Sequence, residues 1–194
     1  MDIRLIDESH TQDINLANEP FLLRGKMKIR YDETGWHHEE IDFPPDQITE
    51  MTFPDENYQY EEMKKDTIFL GAYEEQTCVG LAILTPGFGP CCYIADLKVK
   101  RALRGKGIGK QLIQAAYQYA IGAGYKGLTV IAQDNNLDAC RFYLACGFEI
   151  GGLDTKTYEH TKQAGKADIT FYKFISSDQT SDILSSVSHS SLIR

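Results

Sequence analysis

Apolar positions follow two periods along the chain. Thr67–Glu74 and Thr77–Thr85 are short runs dense in aliphatic and aromatic residues, joined by the polar tip Glu74-Glu75-Gln76, and this pattern predicts a β-hairpin. After the loop Pro86-Gly87-Phe88-Gly89-Pro90, Cys91–Lys100 predicts a third strand. From about Gly107 to Ala123 the period changes. Ile108, Leu112, Ala115, Ala116, Tyr119 and Ala123 recur at three-and-four spacing, which predicts an amphipathic helix ended by Gly122 and Gly124. Gly127–Ala132 predicts a strand, Leu137–Cys146 a second helix closed by Gly147, and Phe148–Gly151 and Ala167–Phe174 two further strands. Strands interspersed with two helices imply a mixed α/β sheet rather than a bundle or a sandwich. Beyond Ser176 the chain is rich in serine to Arg194, which predicts a loosely held tail (176–194) after a folded domain over residues 1–175.

Composition narrows the class. The 194 residues are 42% hydrophobic and 25% charged, enough apolar material for one globular domain with a substantial core. A net charge of -8 argues against a nucleic-acid footprint, which needs clustered positive charge; a cationic partner is easier to accommodate. No stretch approaches the roughly 18 apolar residues that span a bilayer, and Met1–Glu8 lacks the apolar block of a secretion signal, so a soluble cytoplasmic protein is expected. The five cysteines are an odd number with no CxxC pair, which predicts free thiols and no metal site. The adjacent Cys91 and Cys92 read as the start of a strand, pointing to opposite faces.

Charge is unevenly spread. From Asp32 to Glu62 there are eleven acids and no Lys or Arg, whereas the rest of the chain carries 17 acids and 20 bases. Such a window is either a solvated, partly flexible segment or, because Trp36, Phe43, Phe53, Tyr58 and Tyr60 are interleaved with the carboxylates, a wall for an organic cation.

The most specific chemistry lies in Arg104-Gly105-Lys106-Gly107-Ile108-Gly109-Lys110, between a strand and the first long helix. Three glycines let backbone N–H groups approach a ligand, and a helix N-terminus favours negative charge, so the segment reads as a phosphate cradle. It is neither a P-loop, since Arg104 stands where a glycine is needed and Gln111 follows Lys110, nor a GxGxxG dinucleotide motif. It matches [Gln/Arg]-x-x-Gly-x-Gly, and downstream comes Asn136-x-x-Ala139-x-x-x-Tyr143-x-x-x-Gly147-Phe148. Together these resemble the two acetyl-CoA motifs of the GNAT N-acetyltransferase superfamily.

The resemblance implies a mixed, mostly antiparallel sheet splayed around acetyl-CoA and flanked by helices. It also implies that backbone N–H groups of Arg104, Gly105, Lys106, Gly107, Ile108, Gly109 and Lys110 bind the CoA pyrophosphate. Leu97 and Val99 would offer main-chain hydrogen bonds to the pantetheine, Asn136 would touch the cofactor arm or cap its own helix, and Tyr143 would be the acid that protonates the departing thiolate. Relatives are often dimers, and a homodimer is compatible with that.

Direct acetyl transfer needs an uncharged amine, and at neutral pH only about one lysine-like ammonium in a thousand is free amine. That deficit adds roughly 4 kcal/mol to the barrier. Asp96 is the best-placed carboxylate to relieve it, as a base or as an anchor for the ammonium; the related polyamine enzymes carry Glu-Asp where this chain has Ala95-Asp96. Asn18-Glu19-Pro20-Phe21, Gly25-Lys26, Arg30-Tyr31, Trp36, Gln133–Phe148 and the Gly151–Tyr158 stretch further resemble streptothricin acetyltransferases. The implied acceptor is then the β-lysine part of a cationic antibiotic, with the 32–62 segment on the acceptor side and Trp36, Glu39, Glu40, Asp96 and Tyr158 as candidate contacts. Acetylation of a polyamine or a peptide terminus, and a CoA-binding sensor without turnover, are the competing readings.

Overall fold

The structure is a computed structural model, and it describes residues 1–176; the serine-rich tail expected over 176–194 lies outside the described residues from 177 onward. In chain order the elements are β1 (Asp2–Leu5), β2 (Phe21–Leu23), β3 (Gly25–Asp32), β4 (Gly35–Asp42), β5 (Thr49–Met51), the one-turn α1 (Tyr60–Met63), β6 (Ile68–Glu74), β7 (Thr77–Pro86), β8 (Cys92–Val99), α2 (Ile108–Gly122), β9 (Gly127–Gln133), α3 (Leu137–Ala145), β10 (Glu149–Asp154) and β11 (Asp168–Phe174). Seven strands form one sheet in the order β1-β6-β7-β8-β9-β11-β10. Every neighbouring pair is antiparallel except β8 and β9, which run parallel.

The near-continuous apolar runs of β6 and β7 follow from burial on both faces. Leu70, Ala72, Val79, Ala82 and Leu84 belong to a core with α2 and α3, while Phe69, Leu81 and Ile83 form a second core with Ile6 and Ile14 of the N-terminal region. Two features of β8 place the site. Its parallel pairing with β9 lasts only for Cys92 with Leu128 and Tyr93 with Thr129, after which the strands part. On its other edge, Ile94 faces Leu84 and Asp96 faces Ile83, so Ala95 is the extra residue of a β-bulge. Beyond the bulge, Leu97 and Val99 pack toward the α2 and α3 core, whereas Asp96 meets Tyr58, which lies against the second core.

The expected strands and both long helices are present with ends shifted by no more than three residues. The 32–62 segment differs from a flexible acidic stretch. Its first part is half of a regular hairpin, β3 with β4, in register from Gly25 opposite Asp42 to Asp32 opposite Gly35. The hairpin is anchored by Met27, which is buried in the main core and whose N–H donates to the Asp134 carbonyl at 2.8 Å. All five cysteines are free and buried. Burial pushes the thiols of Cys78 and Cys92 up to about 11 and that of Cys140 up to about 12, so they stay protonated and inert at neutral pH. Among the described residues no helix is long and apolar enough to cross a membrane.

Candidate active site

Beyond the parting of β8 and β9 lies a cleft of about 770 Å³. Its walls are Leu97, Lys98 and Val99 of β8, the loop and first turn of α2, the face of α3 carrying Asn136, Ala139, Phe142 and Tyr143, and the N-terminal segment 17–24. Arg104, Gly105, Gly107, Ile108, Gly109 and Lys110 are all in these walls; Lys106 is exposed on the same loop but is not.

The loop is shaped by left-handed backbone at Gly105 (φ 76°) and Gly107 (φ 83°), a conformation costly for any residue with a Cβ. Gly107 caps α2 through its backbone, and the Gln111 N–H makes the first helical bond to its carbonyl at 3.1 Å. The N–H groups of Ile108, Gly109 and Lys110 therefore have no acceptor within the helix, and no side chain caps it. They form a donor set at the positive end of a 15-residue helix, suited to an anion. The Arg104 side chain adds no free charge to this donor set. Its guanidinium donates to the carbonyls of Val99 (3.0 Å), Pro20 (2.7 Å) and Glu19 (3.1 Å), clamping the N-terminal segment to the end of β8. The Val99 carbonyl is thus already bonded within the chain.

Tyr143 is 7% exposed, and its ring is held by Phe142, Phe148 and Phe171 at centroid distances of 5.3–5.7 Å. Its hydroxyl makes no hydrogen bond among the described residues, although Tyr143 lines the cleft. Burial, and secondarily the nearby Asp96 carboxylate, raise its pKa well above the ordinary phenol value, so the proton is retained throughout the neutral range. Asp96 sits on the other face of β8 with its side chain 14% exposed. Burial raises its pKa against the opposing pull of Lys98, 2.8 Å away.

The remaining expected residues are distributed more widely. Asn136 caps α3 by accepting from the Ala139 N–H at 3.3 Å while also lining the cleft. Tyr158, on the β10–β11 connection, donates to Asp168 at 2.8 Å and accepts from Gln133 at 2.9 Å. Trp36 packs on Tyr31 near the β3–β4 turn, six residues and about 20 Å along the strand from Gly25, which bridges to Asn136. Glu39 is exposed opposite Lys28, and Glu40 is taken by Arg141 at 2.7 Å. Trp36, Glu39 and Glu40 are thus not brought to Asp96 or Tyr143. Nor is the acidic window uncompensated, as its local charge suggests. Arg141 also pairs with Asp42, Arg101 with Glu50, Lys98 with Glu56 and Lys64 with Glu61.

The Acetyltransferase (GNAT) family pattern matches residues 34–148, which include the splayed strand, the cradle and Tyr143. The chain belongs to the GNAT acetyltransferase family. It is 30% identical to Streptothricin acetyltransferase A of Bacillus subtilis (strain 168) over 164 residues, 84% of this chain and 94% of that one. It is 25% identical to a streptothricin acetyltransferase of Escherichia coli over 92% of this chain and 98% of that one. Among solved structures, a provisionally named streptothricin acetyltransferase from Bacillus anthracis str. Ames, in complex with acetyl coenzyme A, superposes with a TM-score of 0.79 at 25% identity, covering 89% of this chain and 98% of that one.

As a GNAT enzyme the chain is an acetyl-CoA-dependent N-acetyltransferase. Its own residues fit that co-substrate: the uncapped α2 amides suit a diphosphate, and the apolar wall of Leu97, Val99, Ala139 and Phe142 suits a slender arm. Gly109 permits the narrow α2–α3 approach, because a Cβ there would stand 3.1 Å from the Phe142 ring. Arg104→Met is expected to raise the KM for acetyl-CoA about tenfold with kcat nearly unchanged, since losing hydrogen bonds from a charged group costs about 1.5–3 kcal/mol each before relaxation. Steady-state kinetics at saturating acceptor would read this, and an unaltered KM would contradict the clamp.

Tyr58, Lys98 and Glu56 were not legible as neighbours of Asp96 in the sequence. The one signal was aromatic residues interleaved with acids in the 32–62 window: of that set Tyr58 reaches Asp96, 3.3 Å from its Oδ2, and Phe53 lines the cleft.

Proposed function

We propose that this acetyltransferase acts by direct transfer on a primary amine of a small cationic acceptor, with the β-lysine moiety of streptothricin as the foremost candidate. The observation that carries the reading is the division of labour on β8. Leu97 and Val99 line the cofactor cleft while Asp96, the first residue after the bulge, faces the other side of the sheet, where an ammonium can be received. The names of the Bacillus subtilis and Escherichia coli relatives support the choice of antibiotic.

Acetyl-CoA, when bound, supplies an activated acyl thioester. Asp96 takes a proton from the acceptor ammonium, directly or through water, and its raised pKa brings its basicity closer to that task. Tyr143 donates its phenolic proton to the departing sulfur. The apolar surroundings that keep the phenol protonated also raise the basicity of a thiolate leaving into the same cleft. Cys146 lines the cleft, but burial raises its pKa, which favours direct transfer over an acyl-cysteine route. The smaller hollow of about 310 Å³ between β3 and the β10–β11 connection is lined by Lys26, Lys28 and Lys166 against one carboxylate, Asp134, which Lys26 already pairs at 2.8 Å, and this excess of ammonium groups makes it a poor host for a cationic acceptor.

Release of free CoA thiol from acetyl-CoA, measured with streptothricin, spermidine and a basic peptide in parallel, tests the proposal. Fastest turnover with streptothricin, with N-acetylation of its β-lysine by mass spectrometry, is expected. Faster turnover with spermidine or the peptide would move the acceptor class, and tight acetyl-CoA binding without thiol release from any amine would indicate a sensor. Acetylation removes a positive charge from the antibiotic, which is the basis for reading the activity as resistance.

A further inference from the structure

We infer that Lys98 is a positioning residue for the transfer: together with Tyr58 it occupies one oxygen of Asp96 and leaves the other to accept the proton of the incoming ammonium. The inference rests on the reading of Asp96 as the base. Lys98 Nζ lies 2.8 Å from Asp96 Oδ2, and the Tyr58 hydroxyl donates to that same oxygen at 3.3 Å. Oδ1 has no hydrogen-bond partner among the described residues. A carboxylate anchored through one oxygen by two donors cannot rotate freely, so its other oxygen is presented in a fixed direction.

The anchor is itself held. Lys98 Nζ donates to Glu56 Oε2 at 2.7 Å, the Lys98 side chain is only 9% exposed, and Nζ lies 5.9 Å from the centre of the Tyr58 ring. Glu56 Oε2 also accepts from Asn18 Nδ2 at 2.9 Å, and Asn18 lines the cofactor cleft. The chain Asp96, Lys98, Glu56, Asn18 therefore runs from the acceptor face to the segment that walls the cofactor. Burial opposes the Lys98 charge, but hydrogen bonds and attraction from Asp96 and Glu56 outweigh it and raise its pKa, so Lys98 remains an ammonium and is not the base. In the step assigned here, an N–H bond of the acceptor ammonium breaks, an O–H bond forms at Asp96 Oδ1, and the electron pair stays on the acceptor nitrogen.

The groups facing Asp96 are Lys98 on its own strand, Tyr58 and Glu56 from the segment preceding α1, and Tyr143 from α3. Burial and Glu56 raise the Asp96 pKa while Lys98 and Tyr58 lower it. Removing Lys98 leaves the raising influences opposed only by the Tyr58 hydrogen bond, so the base stays protonated to higher pH. The acidic limb of kcat/KM for the acceptor then moves upward.

The test is the pH profile of kcat/KM for streptothricin at saturating acetyl-CoA, with spermidine as a second amine. Lys98→Met should shift the acidic limb upward by about one pH unit, the lower end of what an opposite charge at this range exerts. It should also lower kcat about three- to tenfold; because Lys98 also borders the cofactor cleft, the limb and not the KM for acetyl-CoA is the deciding readout. Lys98→Arg, which retains the charge, should return the limb to within a few tenths of a unit. Glu56→Gln should move it the opposite way, because Lys98 then serves Asp96 alone, and this variant carries the test if Lys98→Met does not fold. An unmoved limb in Lys98→Met, or in Glu56→Gln where that variant carries the test, overturns the inference. Asp96→Asn separates the two levels. If it keeps both activity and the limb, Asp96 is not the base and the underlying reading fails; if it loses them while the lysine variant leaves the limb in place, only the role of Lys98 fails.

Discussion

Replacing Tyr143 by Phe should lower kcat by about 100- to 1,000-fold, the usual contribution of a positioned general acid, and leave the KM for acetyl-CoA within about twofold. The substitution removes a single oxygen. The ring stays packed against Phe142, Phe148 and Phe171, so the wall of the cleft and the melting temperature should be preserved. Because the Tyr143 hydroxyl bonds to no other group among the described residues, its loss strands no buried partner, and the usual cost of an unsatisfied neighbour does not arise. The effect should therefore appear in kcat almost alone, measured as thiol release under saturation by both substrates. Retention of more than about a third of wild-type turnover would remove Tyr143 from the role of acid.

The second large effect is expected for Asp96→Asn, with a distinctive dependence on pH. At neutrality kcat/KM for the acceptor should fall about 100-fold, because amide oxygen is far too weakly basic to relieve an ammonium. An amine with a pKa near 10.4 gains about tenfold in free base for each unit of pH, so the mutant's deficit should narrow steadily toward pH 9–10. The wild-type acidic limb should lie above the ordinary aspartate value, because burial favours the protonated carboxyl, and this limb should vanish in the mutant. Burial of Asp96 beside Lys98 means that the variant also leaves an ammonium with one carboxylate fewer, so acetyl-CoA affinity serves as the control for folding. A constant ratio of mutant to wild-type activity from pH 6 to 10 would be inconsistent with proton abstraction by Asp96.

The parts of the site that could be read from sequence are those fixed locally. The cradle from Arg104 to Lys110 combines glycines with the start of a periodic helix, and both properties are encoded within a dozen residues. Tyr143 falls at a fixed spacing from Asn136 on one helix, so its place followed once the helix was recognised. What escaped depends on distant pairing. Arg104 bonds to carbonyls 84 and 85 residues away, and Lys98 meets Glu56 across 42 residues, separations at which no local period exists. The β3–β4 hairpin was obscured because Gly-Trp-His-His-Glu-Glu-Ile-Asp lacks apolar alternation; its order comes from Met27 in the core, from the ladder with β3 and from Arg141 on α3. Net charge of a segment is a one-dimensional quantity, and in this chain the bases that balance the 32–62 acids come largely from other elements.

Ala95 contributes no functional group, yet the proposed division of β8 depends on it. Side chains at 96 and 97 take opposite faces by ordinary strand alternation, and the one unpaired residue decides which is which: it keeps Leu97 with Ile94 on the dry face of the cleft and main core and sets Asp96 on the other. A change that ironed out this kink at constant chain length would carry the carboxylate of Asp96 onto the dry face and turn Leu97 toward Tyr58. Such a lesion would be all-or-none, exchanging the two halves of the reaction rather than weakening either.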